Sequence, residues 1–337
     1  MVNSAWQVLE YRDVRYGLRR VEVREAATPL PPTGSPLAVR PLVTTDGRRL
    51  VQKSVPRAEG QPDDDLYDRL DREIRAGARL ARRFAGLPYP TGLSELVGYD
   101  IDVEEPYVLL AHYRGEPVAG QAGRLLTHQQ HRFEVGLLHA LRELEAAKVV
   151  HGDISPRTVW WDGDDVQLVG FEHAVLVGEP RVRNVGSPTG SPQQRAGDGP
   201  ADVRDDLWSA GAVVLHVVTG DVGATPDPHA AGDALVDLLA GVFAPTPGER
   251  PHPVELLDRL AVADRVPPRA DRTAVAFGQA RAKFDEVLVA KRPGRDAPAP
   301  APPRRDARRV SAVWLAVVSA AVVVLAVTAV LVNGGLW

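Results

Sequence analysis

Val150-His151-Gly152-Asp153-Ile154-Ser155-Pro156-Arg157-Thr158-Val159, followed twelve residues after Thr158 by Gly170-Phe171-Glu172, is the stretch on which the reading of this chain turns. It sets one carboxylate, Asp153, among hydroxyl groups, then a glycine without a side chain, then a second carboxylate, Glu172. A carboxylate held within hydrogen-bond reach of a substrate hydroxyl can accept its proton. Lone His-x-Asp triplets are frequent, so the weight rests on what stands before and after. Between the two stretches lie Asp162, Asp164 and Asp165, and Gly163 among them marks an ordinary hairpin turn.

Working towards the N-terminus, residues 1 to about 55 alternate apolar runs (RRVEVREA, LAVRPLV, RRLVQKSV) with turn signals, and Asp46-Gly47 between two of them is a strong hairpin signal. An antiparallel sheet is expected there. Residues 63 to 85 place Leu66, Leu70, Ile74, Ala81 and Phe84 at helical spacing behind an acidic first turn of Asp63, Asp64 and Asp65. From about residue 127 helices are expected to dominate: Phe133, Leu137, Leu141 and Leu144 share one face, and Leu207 to Thr219 is nearly all apolar. A β-rich lobe followed by a helical lobe predicts an α+β, two-lobed architecture.

The chain has 337 residues, a net charge of −4 and no Cys. No basic field points to nucleic acid, and thiolate catalysis, disulfides and Cys-ligated metals are excluded. Of its 40 basic residues only Lys53, Lys148, Lys283 and Lys291 are Lys, which gives weight to any Lys at a chemically meaningful position. Usage heavy in Ala, Arg and Pro points to a GC-rich bacterial genome.

Residues 312 to 332, AVWLAVVSAAVVVLAVTAVLV, carry no charge; as a helix they would span about 31 Å, enough to cross a bilayer. Lys291, Arg292, Arg295, Arg304, Arg305, Arg308 and Arg309 precede this stretch. The positive flank predicts a single-pass protein of the cell membrane with its N-terminal part in the cytoplasm, the basic residues touching membrane lipid. Residues 293–303, PGRDAPAPAPP, read as an extended spacer. With five residues after the span, any signal is expected from the cytoplasm, the lipid or a neighbouring membrane protein.

The 150–159 stretch resembles the catalytic loop of protein kinases, H-R-D-L-x-x-x-N, and Gly170-Phe171-Glu172 stands where that family has D-F-G. Leu50-Val51-Gln52-Lys53 is similar to the family's V-A-I-K, with Glu73 at the place of its ion-pair Glu. Gly186-Ser187-Pro188 and Ser191-Pro192-Gln193 resemble the G-T-P and A-P-E marks. Asp206-Leu207-Trp208-Ser209-Ala210-Gly211 resembles D-x-W-S-x-G, and Gly248-Glu249-Arg250-Pro251 the Arg-bearing turn near the domain's end. These marks run in family order between about residues 15 and 262. The resemblance implies a kinase-like domain over 1–262, with an N-lobe of about 1–110 and a C-lobe of about 111–262. After it come a helical extension (263–291), a basic linker (292–310) and a transmembrane helix (311–333).

What the resemblance implies about chemistry is mixed. Lys53, paired with Glu73, would meet the α- and β-phosphates of ATP, and Asp153 would be the base, actual or vestigial. Thr158 and Gly170 replace the two magnesium ligands, with Glu172 as a candidate substitute carboxylate. Thr28-Pro29-Leu30-Pro31-Pro32-Thr33-Gly34-Ser35 replaces the Gly-rich loop, and Pro has no N–H to give a phosphate. Gly152 removes an Arg that binds a phosphorylated segment, while Ser187 and Thr189 are candidate phosphosites. The expectation is a membrane-anchored pseudokinase acting on a cytoplasmic protein partner, with ATP binding open and magnesium disfavoured. The alternatives are an atypical active serine/threonine kinase and a scaffold whose pocket is filled by side chains.

Overall fold

Short alternating runs become six strands: β1 (Gln7–Asp13), β2 (Leu18–Glu25), β3 (Ala38–Thr44), β4 (Arg49–Ser54), β5 (Leu96–Asp100) and β6 (Tyr107–Ala111). In the computed structural model they are ordered β1-β2-β3-β4-β6-β5 and closed into a barrel. The expected Asp46-Gly47 turn joins β3 to β4, with Gly47 at φ 83°. The sequence pattern predicts an antiparallel sheet; the structure closes it, because β1 pairs with β5 through Arg12–Tyr99 and Asp13–Gly98. Closure demands glycine at residue 98, where a Cβ would lie 2.2 Å from the Tyr11 ring and 2.6 Å from the Arg12 carbonyl. A closed barrel leaves no unpaired edge in this sheet.

The structure describes residues 5–57, 63–184, 187–220 and 226–267, all within one unit that runs from the N-terminus to Pro267. Inside the barrel, Val23, Leu42, Leu50, Tyr107 and Leu109 pack together. Successive strand residues face opposite ways, so Val51 and Val55 point outward, into a second cluster with Leu70 and Ile74. Leu70 and Ile74 belong to α1 (Asp64–Arg83), capped by Asp63, whose side chain accepts from the Asp65 N–H; its first turn is acidic and its last turn basic, in line with the helix dipole. Gly77 lets α1 approach β5, since a Cβ there would fall 2.6 Å from the Leu96 Cβ.

Beyond the barrel come β7 (Glu116–Pro117), α2 (Thr127–Ala147), β8 (Val149–Val150), β9 (Val159–Trp161), β10 (Val166–Leu168) and β11 (Val175–Leu176). Four further helices follow: α3 (Pro192–Ala196), α4 (Val203–Thr219), α5 (Asp233–Leu238) and α6 (Pro253–Arg259). The expected apolar helix is α4, buried at every residue from Asp205 to Val217. It packs with Phe133, Leu137, Leu141 and Leu144 of α2 into the main core. The 162–165 turn is a hairpin between β9 and β10, with Asp162 accepting from the Asp164 and Asp165 N–H groups.

The described part of the expected helical extension, residues 263–267, carries no regular structure. The rest of it, the 292–310 linker and the 311–333 span lie outside the described residues. Among the described residues no helix is long and apolar enough to cross a membrane.

Candidate functional site

Lys53 lies on the same outward face of β4 as Val51 and Val55, and is fully buried. Its Nζ reaches Glu73 Oε2 and Glu172 Oε1, each at 2.8 Å. Glu73 arrives from the inner face of α1, one position from Ile74. Glu172 arrives from a single 3-10 turn, Phe171–His173, that begins after Gly170 in left-handed backbone at φ 80°. Three segments far apart in sequence thus converge on one ammonium. Burial works against that charge, but Glu172 and then Glu73 outweigh it and hold Lys53 well above the ordinary lysine range.

Two buried carboxylates against one ammonium leave the cluster short of positive partners, a costly arrangement unless further hydrogen bonds satisfy it. The two carboxylates respond in opposite directions: burial pushes Glu73 up, while Lys53 overcomes the burial of Glu172 and draws it down. One further hydrogen bond comes from Ser35, whose hydroxyl donates to Glu172 Oε1 at 2.5 Å, while Glu73 Oε1 is buried without a hydrogen-bond partner. Ser35 Oγ also accepts from the Leu37 N–H at 3.1 Å. Both lie on the proline-rich segment between β2 and β3.

The 150–159 loop is held from beneath. Asp206, on the first turn of α4, accepts from the N–H groups of His151 (2.5 Å) and Gly152 (3.0 Å). Burial lifts Asp206 to about 7 in spite of those donors. The His151 ring packs on Phe171 with centroids 4.6 Å apart, and its burial drives it down to about 3, so it is neutral. Asp153 accepts from Asn184 Nδ2 at 2.9 Å. Burial raises Asp153 to about 6, with Asn184 and Ser187 pulling the other way. The role of Asn184 had no signal in the sequence; it sits just before the Ser187-Pro188 mark, in residues 177–184, which have no pattern of their own.

Magnesium does not fit this donor set. Gly170 offers no side chain, and Thr158 Oγ1 is engaged within its own loop, donating to the Asp153 carbonyl (2.6 Å) and accepting from the Ser155 N–H (2.9 Å). Glu172, the candidate substitute, is taken by Lys53 and Ser35. Among the described residues no group of three or more His, Asp or Glu is placed to hold a metal ion.

The candidate phosphosites are enclosed: Ser187 is 4% exposed and Thr189 1%, the latter donating to the Ile154 carbonyl at 2.6 Å. Gly152, at φ 79°, leaves no room for a side chain, since a Cβ would stand 2.5 Å from the His173 carbonyl oxygen. Gln193 keeps its geometry as a neutral partner, its Oε1 accepting from Arg250 Nη2 at 2.6 Å.

No family model matches the chain. Among curated proteins it is similar to the serine/threonine-protein kinase PknL of Mycobacterium tuberculosis, 27% identical over 243 residues that make up 69% of this chain and 55% of that protein. The probable serine/threonine-protein kinase PkwA of Thermomonospora curvata is 25% identical over 245 residues, 65% of this chain and 32% of that protein. The probable serine/threonine-protein kinase SCO3848 of Streptomyces coelicolor is 27% identical over 184 residues, 51% and 26% of the two chains. The chain spans about a quarter to about half the length of these curated relatives. It is kinase-like, similar over half of its length or more to bacterial serine/threonine protein kinases.

Proposed function

We propose that this chain is a kinase-like protein that transfers no phosphate and acts by binding a cytoplasmic protein, that is, a pseudokinase. Phosphoryl transfer rests on positioned cations that neutralise developing charge. The observation that carries the reading is the state of Lys53, bonded at 2.8 Å to two carboxylates of its own chain. The Glu73 pair alone would leave Lys53 able to meet phosphates, but Glu172 takes up its charge as a second carboxylate, and residue 170 has no carboxylate to bring a metal in compensation. Anchoring is part of the proposal: the uncharged 312–332 stretch would cross the membrane, with the basic flank on anionic lipid.

One observation favours the second reading, an atypical active kinase: Asp153 is raised to about 6, within the range of a working general base. Labelled ATP separates the two. The full 337-residue chain, incubated with ATP labelled in the γ-phosphate, magnesium or manganese, and generic protein acceptors, is expected to transfer nothing. Label on an acceptor that vanishes in Asp153→Ala would establish the active kinase instead.

A further inference from the structure

If the phosphates of a nucleotide met Lys53, its base would need apolar room nearby, where Val51 on the outward face of β4 packs with Trp160 and Val169. Alternation along β9 decides what fills that space: Val159 and Trp161 turn into the helical core, so Trp160 between them turns towards the barrel. Trp160 is 1% exposed and packs edge-to-face on Tyr113, with centroids 5.2 Å apart and planes at 72°. Its Nε1 donates to the Arg157 carbonyl at 3.1 Å, which fixes the ring. Val51, Leu37 and Val169 belong to the same packed cluster.

The other side is closed by the segment between β2 and β3. Leu30 packs on the Trp160–Tyr113 cluster, and Ser35 bonds Glu172. Gly34 rides so close over the 150–159 loop that a Cβ on it would lie 3.3 Å from Arg157 Cδ. The neighbouring cavities stop at the edge of this cluster: one of about 910 Å³ lies along Arg24–Val43 with Ser35 in its wall, and one of about 520 Å³ has Tyr113 and Trp160 in its wall. Neither is lined by Lys53, Glu73 or Glu172.

We propose that the chain carries its own occupant of the nucleotide cleft: Trp160 and Tyr113 fill the space of a base, and Ser35 with Glu172 holds Lys53 where phosphates would. The cleft excludes nucleotide, and a bridge of the chain's own side chains joins barrel and helical half in its place. The proposal builds on the non-catalytic reading and can fail separately from it.

Equilibrium dialysis of the full chain against labelled ATP, with and without magnesium or manganese, is the test. No binding at millimolar nucleotide is expected. Saturable binding that ADP competes away overturns the occlusion; if γ-phosphate transfer is still absent, the non-catalytic reading survives, and if Asp153-dependent transfer accompanies it, both fall. The cause is checked by Tyr113→Val combined with Trp160→Leu, which opens the base space. This variant is expected to bind adenosine at least about tenfold more tightly than the wild type, and a folded variant that gains nothing overturns the occlusion. Where the variant does not fold, acylation of native wild-type lysines decides by mass spectrometry. Exposed Lys148 is expected to label and buried Lys53 to resist; equal labelling overturns the proposal.

Discussion

Ser35 donates its hydroxyl to Glu172 at 2.5 Å across 137 positions of sequence. The contact joins the segment over the cleft to the turn that follows Gly170, and so places the proline-rich insertion in the electrostatics of Lys53. A buried carboxylate that loses a donor costs about 1–3 kcal/mol. Ser35→Ala is therefore expected to lower unfolding stability by that amount in a urea titration of the full chain. An unchanged midpoint would mean that the hydroxyl bond adds nothing.

Among the described residues, Lys53→Met removes the only ammonium paired with Glu73 and Glu172. Breaking a buried ion pair by deleting one partner costs about 3–5 kcal/mol, because the remaining charge stays uncompensated. The expected result is a large fall in stability, partly reversed when Glu172→Gln is added. Equal stabilities for the single and double variants would show that the two groups are not coupled.

The two loop glycines separate strain from space. Gly170 is left-handed at φ 80°, but a Cβ there meets only Thr158 Cγ2, at 3.4 Å. Gly152 is equally left-handed, and a Cβ there meets the His173 carbonyl oxygen at 2.5 Å. Gly170→Ala is expected to cost about 1 kcal/mol, from the backbone alone. Gly152→Ala should cost more. Thermal unfolding of both variants reads the ranking, and the reverse order would contradict it.

Glu143 on α2 has Oε2 buried without a hydrogen-bond partner, and burial pushes its carboxyl from 4.5 up to about 7, with Arg265 opposing. The folded state therefore holds this proton more tightly than the unfolded chain. Its ionisation penalty is absent below pH 4.5, grows as pH rises, and is complete above about 7. Glu143→Gln removes the penalty, so its melting temperature relative to wild type should climb between those limits. A difference that stays flat with pH would contradict the assignment.

Much of this was readable from residue patterns because it is local. The spacing of Leu66, Leu70 and Ile74 placed α1, and with it Glu73; the Asp46-Gly47 turn placed β4, and with it Lys53. Barrel closure was not readable. Val8 of β1 is 62% exposed, so that strand lacks a clean alternation, and its pairing depends on a distant Gly98. The Thr28–Ser35 segment was legible as a loop unable to donate to phosphates. That its serine bonds Glu172 is a long-range fact that no spacing encodes. Trp160 was likewise silent: two adjacent tryptophans in β9 look alike in sequence, and only the pleat sends one to the cleft and the other to the core. Asp206 stood within a motif, yet its hold on the His151 and Gly152 N–H groups emerged only from the packing of α4 beneath the loop.

Lys53, held by Glu172 beside its Glu73 partner, is proposed not to serve phosphoryl transfer. Formation of ADP from ATP by the full chain, with magnesium and with manganese, tests it most directly when wild type is run beside Asp153→Asn. The same background is expected in both. ADP produced by the wild type and abolished by Asp153→Asn would contradict it.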